Sequence, residues 1–230
     1  MPRHALRPVV VKISGKHVNP EKPHMIRRYA EVLRGLALEG HRLVVVVGGG
    51  VVARSYIAAG REAGLNRGLM DALGIEVARL NARLLAYALL PHSYPEPPRS
   101  LWEALEAYAT GRIVVAGGFQ PGQSTAGVAA VLAEALGARL LVLATTVPGV
   151  YTSDPRRDPS ARLLPRLSYG ELRKVLRQST EPGHYELLDP LALDVVERSR
   201  IPVRVVDGSD PVNVARAVRG EQVGSLVAPE

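Results

Sequence analysis

Short apolar runs alternate along this chain with longer segments whose apolar residues recur at helical spacing, and glycine or proline punctuates the changes. Val9-Val10-Val11, Leu43 to Val47 and Ile113 to Ala116 are continuous apolar runs of strand length, the pattern of strands buried on both faces. The reading in order is a strand over 9–14, a helix over 23–39 stopped at Gly40, a strand over 43–47 and a helix from Gly48-Gly49-Gly50 to about Ala63. A long Ala/Leu helix over 68–90 places Leu73, Val77, Leu80, Leu84 and Ala88 on one stripe, and the loop Pro91 to Pro98 follows it. Next come a helix over 101–109, a strand over 113–116, a helix over 125–136 and a strand over 139–144. A polar loop over 155–162, a helix over 168–178, an irregular segment over 179–187, a helix over 190–199, a strand over 203–206, a helix over 210–218 and a strand near 224–227 complete the chain. Strands alternating with helices predict an α/β fold with a mostly parallel sheet covered on both faces.

Composition narrows the classes. At 230 residues the chain is one large domain or two small ones, and no run approaches the roughly 18 apolar residues of a membrane span. Met1 to Arg7 leads straight into strand-like sequence, so no secretory leader is expected, and a cytoplasmic protein is the default. Zero cysteines exclude disulfides and thiolate metal sites, and the six histidines show no ligand spacing. A net charge of +7 suits anionic partners. Nucleic acid is not the expected one, because basic runs are absent and there is one Phe and one Trp for stacking on bases. The basic residues are 25 Arg and only four Lys, at 12, 16, 22 and 174. Two of those four flank a single short loop. Lysine offers a compact mobile ammonium that the planar guanidinium does not reproduce, so Lys12 and Lys16 are candidates for chemistry.

The candidate chemistry sits where strands end. Lys12-Ile13-Ser14-Gly15-Lys16, Gly48-Gly49-Gly50 and Gly117 to Thr125 each follow an apolar run, and two further stretches, Thr145 to Asp154 and Leu188-Asp189-Pro190, complete the set. Open α/β sheets bind ligands at the carboxyl ends of strands, and glycine-rich backbone there presents N–H groups to anions. Two familiar motifs are rejected. Gly48-x-Gly50-x-x-Ala53 resembles a dinucleotide fingerprint, but Asp71, at the required distance, lies in helix rather than at the end of a second strand. Gly117-x-x-x-x-Gly122-Gln123-Ser124 lacks the lysine of a phosphate-binding loop and keeps only backbone and hydroxyl donors.

Together these segments resemble the amino acid kinase family, and within it the archaeal type of uridylate kinase. The landmarks are Lys12-Ile-Ser-Gly-Lys16, Val47-Gly-Gly-Gly-x-x-Ala53-Arg54-x-Tyr56, Gly74-Ile-x-x-x-Arg79-Leu-Asn81-Ala82, Gly117-Gly-Phe-Gln-Pro-Gly-Gln-Ser-Thr125, Gly149-Val-Tyr-x-x-Asp-Pro155 and Tyr185-Glu-Leu-Leu-Asp-Pro-Leu-Ala192. They span essentially the whole chain. The resemblance implies a three-layer αβα sandwich in one domain, an acceptor-nucleotide half over about 1–138 and an ATP-binding half over about 139–230. It implies phosphoryl transfer from ATP to UMP with Mg²⁺ carried by the nucleotide rather than by a protein metal site, and assembly as a hexamer. Lys12, Lys16 and Asp189 match catalytic positions. Ser14, Gly15, Gly50, Arg54, Thr145, Thr146, Tyr151 and Asp154 match the ATP side. Gly49, Asp71, Phe119, Gln120, Pro121, Gly122, Gln123, Ser124 and Thr125 match the UMP side. The rival readings are another small-molecule kinase of this fold, acting on an acyl or isoprenoid phosphate, and a non-catalytic nucleotide-binding regulator.

Two departures from the family pattern stand out. Where the family carries Thr-Asn-Val-Asp-Gly-Val-Tyr, this chain has Thr145-Thr146-Val147-Pro148-Gly149-Val150-Tyr151. An amide is lost at 146, and a carboxylate and a backbone N–H at 148. Ala126 also stands where relatives often carry Asp.

Overall fold

A computed structural model of the chain describes residues 7–153, 155, 158–178 and 188–229, with the side chains of 177 and 178 excepted. The predicted site residue Asp154 and the predicted irregular segment 179–187 lie outside the described residues. The elements are β1 (Val9–Ile13), α1 (Pro23–Leu38), β2 (Leu43–Val47), α2 (Gly50–Glu62), α3 (Arg67–Ala88), α4 (Leu101–Ala109), β3 (Val114–Ala116), α5 (Thr125–Ala135), β4 (Leu140–Thr145), β5 (Arg166–Leu167), α6 (Tyr169–Gln178), α7 (Pro190–Arg198), β6 (Val203–Asp207), α8 (Val212–Val218) and β7 (Ser225–Val227).

The strands form one seven-stranded sheet in the order β3-β2-β1-β4-β6-β7-β5. The five from β3 to β6 run parallel, and β7 pairs antiparallel with β6, so β7 and β5 form a reversed edge. The strand β5 was not anticipated. Two residues are too short to show alternation, and the pairing of Arg166 with Leu226 is set by tertiary placement.

Alternation along each strand assigns the two faces. Val10, Val44, Val46, Leu141 and Leu143 point toward α4, α5, α6 and α7, while Val9, Val11, Ile13, Val45 and Val47 point toward α1, α3 and α8. The result is an αβα sandwich. The chain builds β1, β2 and β3 toward one edge, then crosses back through α5 to place β4 on the other side of β1. That reversal makes the carboxyl ends of β1 and its neighbours a switch point, where the ends of adjacent connections part and leave a crevice.

The stripe predicted on α3 is corrected. Its buried side chains include Ile75, Val77, Ala78, Asn81, Ala82, Leu85 and Ala86, whereas Leu80 is 62% and Leu84 39% exposed. An Ala/Leu helix carries more than one apolar stripe. Here the stripe rich in alanine faces inward, and α3 backbone comes so near the loop after β3 that a Cβ on Gly117 would lie 2.6 Å from the Arg79 nitrogen and 2.7 Å from the Ala78 carbonyl carbon.

Candidate active site

Four of the strand-end loops meet above the switch point. β1 places Lys12 one residue before its end, on the α5 face, with the side chain half-buried. The loop after it turns tightly, with His17 N–H bonded to the Ser14 carbonyl at 2.9 Å and Lys16 N–H to Ser14 Oγ at 3.3 Å. Gly15 then abuts the triglycine loop after β2. A Cβ on Gly15 would lie 2.2 Å from the Gly48 oxygen and 2.4 Å from the Gly50 nitrogen. Gly50 has φ +65°, and a Cβ there would lie 2.2 Å from the Gly15 oxygen. Only glycine fits this backbone-to-backbone contact, and at Gly50 only glycine adopts the conformation without strain.

Buried amides hold both loops. Asn19, 1% exposed, donates to the Gly15 carbonyl at 2.9 Å. Asn81, 3% exposed on α3, donates to the Gly48 and Gly49 carbonyls at 3.1 and 3.3 Å. Carbonyls drawn toward the protein turn their peptide N–H groups the other way. α2 begins at Gly50 without a side-chain cap, so its first N–H groups and dipole are open to an anion.

The loop after β3 closes a cavity of about 350 Å³. Gly49, Asp71, Gln120, Gly122, Gln123, Ser124 and Thr125 line it, which brings most of the predicted UMP-side residues together. Asp71 accepts a hydrogen bond from Gly122 N–H at 2.9 Å and so holds the loop as well as facing the cavity. Phe119 and Pro121 are not in the lining. Phe119 packs against the core beneath, and its carbonyl is taken by Arg79. Ile57, Gly74, Ile75, Ala78 and Gly118 complete the walls. Of these, Gly118 belongs to the predicted Gly117 to Thr125 loop, whereas Ile57, Gly74, Ile75 and Ala78 were not expected to line a site.

Ser124 and Asp189 are committed to structure. Ser124 Oγ caps α5, accepting from Ala126 and Gly127 N–H at 3.1 and 3.0 Å, while its hydroxyl donates to Asp189 Oδ2. One donor and two acceptor positions are thereby filled. The other oxygen of Asp189 caps α7, accepting from Ala192 N–H at 2.9 Å. The carboxylate ties the starts of two helices together at the rim of the cavity.

The β4 side is built differently. The Thr145 carbonyl accepts from both His17 Nε2 at 2.9 Å and Gly208 N–H at 2.8 Å. The Gly208 carbonyl accepts from the buried Tyr29 hydroxyl at 2.7 Å. Burial holds the His17 imidazole below its ordinary pKa and pushes the Tyr29 phenol up, so both stay neutral. Gly149 is packed on Ser225, whose Oγ accepts from Val150 N–H at 2.8 Å. Thr146 and Tyr151 are half-buried, Pro148 and Arg54 exposed, and Tyr151 bridges to Leu163. His17, Asn19, Tyr29 and Asn81 were missed by sequence reasoning. A polar residue within an apolar stripe, as Asn81 is, was the available signal.

Chemically, the arrangement offers two lysines on one central strand-end loop, an uncapped helix start, and a polar cavity walled by backbone amides and one carboxylate. These suit phosphate-bearing ligands. Comparison with known proteins agrees. Residues 7–207 match the model of the amino acid kinase family. The chain is 69% identical over 220 residues to a uridylate kinase of Hyperthermus butylicus, covering 96% of this chain and 97% of the relative. It is 46% identical over 225 residues to a uridylate kinase of Sulfolobus acidocaldarius, covering 96% and 99%. A crystal structure of uridylate kinase from Archaeoglobus fulgidus superposes with a TM-score of 0.88 at 38% identity, covering 96% of this chain and 100% of that one. Strand order, loop positions and near full-length identity lead to one conclusion: the chain belongs to the amino acid kinase family.

Proposed function

We propose that this protein transfers the terminal phosphoryl group of ATP to UMP, giving UDP and ADP for pyrimidine nucleotide supply. The observation that carries this reading is the cavity of about 350 Å³, where the glutamine- and glycine-bearing loop meets Gly49 and Asp71 beside the lysine loop. The acceptor half, about 1–138, holds UMP through Gly49, Asp71 and the stretch Phe119 to Thr125. The donor half, about 139–230, holds ATP through Thr145, Thr146, Tyr151 and Asp154, with Ser14, Gly15, Gly50 and Arg54 reaching its phosphates.

In the reaction an oxygen of the UMP phosphate forms a bond to the γ-phosphorus as the bond to the β,γ-bridging oxygen breaks. Charge spreads over the transferring oxygens, so positioning and electrostatics dominate over covalent chemistry. Lys12 stabilises the transferring group and Lys16 the neighbouring phosphates. Gly15 and Gly50 let the backbone come close, and Asp189 acts by fixing the α5 start through Ser124. Mg²⁺ would arrive on the triphosphate held by the Ser14–Lys16 loop, since this ion usually keeps its waters and binds through substrate phosphates. When bound it neutralises charge on the β- and γ-phosphates.

No helix among the described residues is long and apolar enough to cross a membrane. A cytoplasmic homohexamer completes the reading. A coupled assay of the purified protein with ATP, Mg²⁺ and a panel of UMP, CMP, dTMP, AMP and GMP tests it. UMP is expected to be strongly preferred, and equal turnover of a purine monophosphate would sink the reading.

A further inference from the structure

Arg79 lies on α3, outside the lining of the cavity of about 350 Å³, and has no role in the proposed reaction. It lines, with Glu76, Arg83 and Arg99, a second hollow of about 380 Å³. Its side chain is only 15% exposed, and its guanidinium is fully directed. Nε donates to the Gly118 carbonyl at 3.0 Å and Nη2 to the Phe119 carbonyl at 3.0 Å. Nη1 is held by Glu76 at 2.7 Å, one turn back on the same helix. A planar fork thus grips two successive peptide groups of the loop after β3.

In a trans peptide the N–H points opposite to the C=O of the same plane. The Gly118 carbonyl shares its plane with Phe119 N–H, and the Phe119 carbonyl with Gln120 N–H. Drawing both carbonyls toward Arg79 turns both N–H groups toward the side where Gly118 and Gln120 line the cavity of about 350 Å³. Among the described residues neither N–H has an acceptor. Gln120 lines the cavity and Phe119 stands beside it, so these two adjacent donors are free to serve a ligand oxygen there.

We propose that Arg79 is a positioning residue that sets the Phe119 and Gln120 N–H groups as a paired donor site for oxygens of the acceptor nucleotide. This rests on the UMP-kinase reading and identifies a determinant of acceptor binding within it. A lysine supplies the charge at this place but not the fork, so it cannot hold both carbonyls in register.

The test uses wild type, Arg79→Lys and Arg79→Ala, with UMP binding measured by calorimetry in the absence of ATP, and KM values and kcat measured separately. Both variants are expected to bind UMP roughly 10- to 100-fold more weakly, the loss of charge-assisted contacts behind the site, with the KM for ATP nearly unchanged. Guanidinium ion, entering the open hollow, is expected to restore UMP affinity to Arg79→Ala and not to Arg79→Lys, where the ammonium occupies the place. Wild-type UMP affinity in Arg79→Lys overturns the proposal, as does an equal loss of UMP and ATP binding in either variant. Should Arg79→Ala fail to fold, Arg79→Lys alone decides. A wild-type protein that does not turn UMP over refutes the UMP-kinase reading instead, and the calorimetry still reports whether Arg79 governs UMP binding.

Discussion

The acceptor cavity and the β4 side of the same crevice use backbone in opposite ways. Around the cavity, side chains take the loop carbonyls: Asn81 holds those of Gly48 and Gly49, and Arg79 those of Gly118 and Phe119. The N–H groups of Gly48, Gly122 and Gln123 are bonded within the protein, while those of Phe119 and Gln120 have no acceptor among the described residues. On the β4 side the protein satisfies its own groups, with the Thr145 carbonyl shared by His17 and Gly208, and Val150 N–H closed on Ser225. One region is a set of prepared donors and the other a braced frame. Substitutions in the first are expected to act on UMP binding, with a cost in stability where a buried carbonyl is stranded, and those in the second on stability or on ATP, and only weakly on turnover.

The largest expected effect lies between the two, at Lys12. Removing one electrostatic contact to a developing charge costs roughly 100- to 1000-fold in turnover, about 3–4 kcal/mol. Lys12→Ala is expected to lower kcat by that factor while UMP affinity by calorimetry changes little. A variant that keeps more than half its turnover makes Lys12 an ordinary strand-end lysine.

A smaller effect is expected at Asn81. Asn81→Ala strands a buried carbonyl and is expected to lower stability by about 1–3 kcal/mol. Because the proposed function assigns Gly49 to UMP and Gly50 to ATP, KM for both is expected to rise. That contrasts with Arg79, where only UMP responds. Steady-state kinetics that show a change for UMP alone would place the triglycine loop wholly on the acceptor side.

The β4 frame sharpens the contrast from the other direction. Restoring the family residues with Thr146→Asn and Pro148→Asp adds about one neutral hydrogen bond, on the order of 0.5–1.5 kcal/mol. The KM for ATP is expected to fall by up to about tenfold, with UMP affinity unchanged. A natural protein that binds UMP without turnover, switched on by the double substitution, would instead be a regulator.

The smallest effect is pH-dependent. Burial holds His17 below the ordinary value of 6.5, so the unfolded chain binds this proton more tightly than the folded one. Its contribution is complete above about pH 6.5 and is lost as the pH falls below that value. His17→Gln keeps a donor for Thr145 without the titration. Melting temperatures between acidic and neutral pH are expected to fall more steeply in wild type than in this variant. His41, also held low by burial, is common to both proteins and cancels.

The apolar runs and the glycine loops at their ends were legible from the chain alone, because periods of 2 and 3.6 and the backbone needs of glycine are local properties. They located β1 to β4, β6 and β7, the eight helices of the described residues to within about two residues at each end, and most of the cavity lining. They did not choose between the stripes of α3, where Leu80 and Leu84 turned outward. Nor did they assign the polar supports. Arg79 and Gly118 are 39 positions apart, Asn81 and Gly48 are 33, and His17 and Thr145 are 128. Those partners meet only because β1 lies between β2 and β4 and α3 runs over the glycine loops. Periodicity says that an element forms and which faces are apolar. The order in which elements are laid side by side, and so the carbonyl each buried amide or guanidinium reaches, is a property of the packed whole.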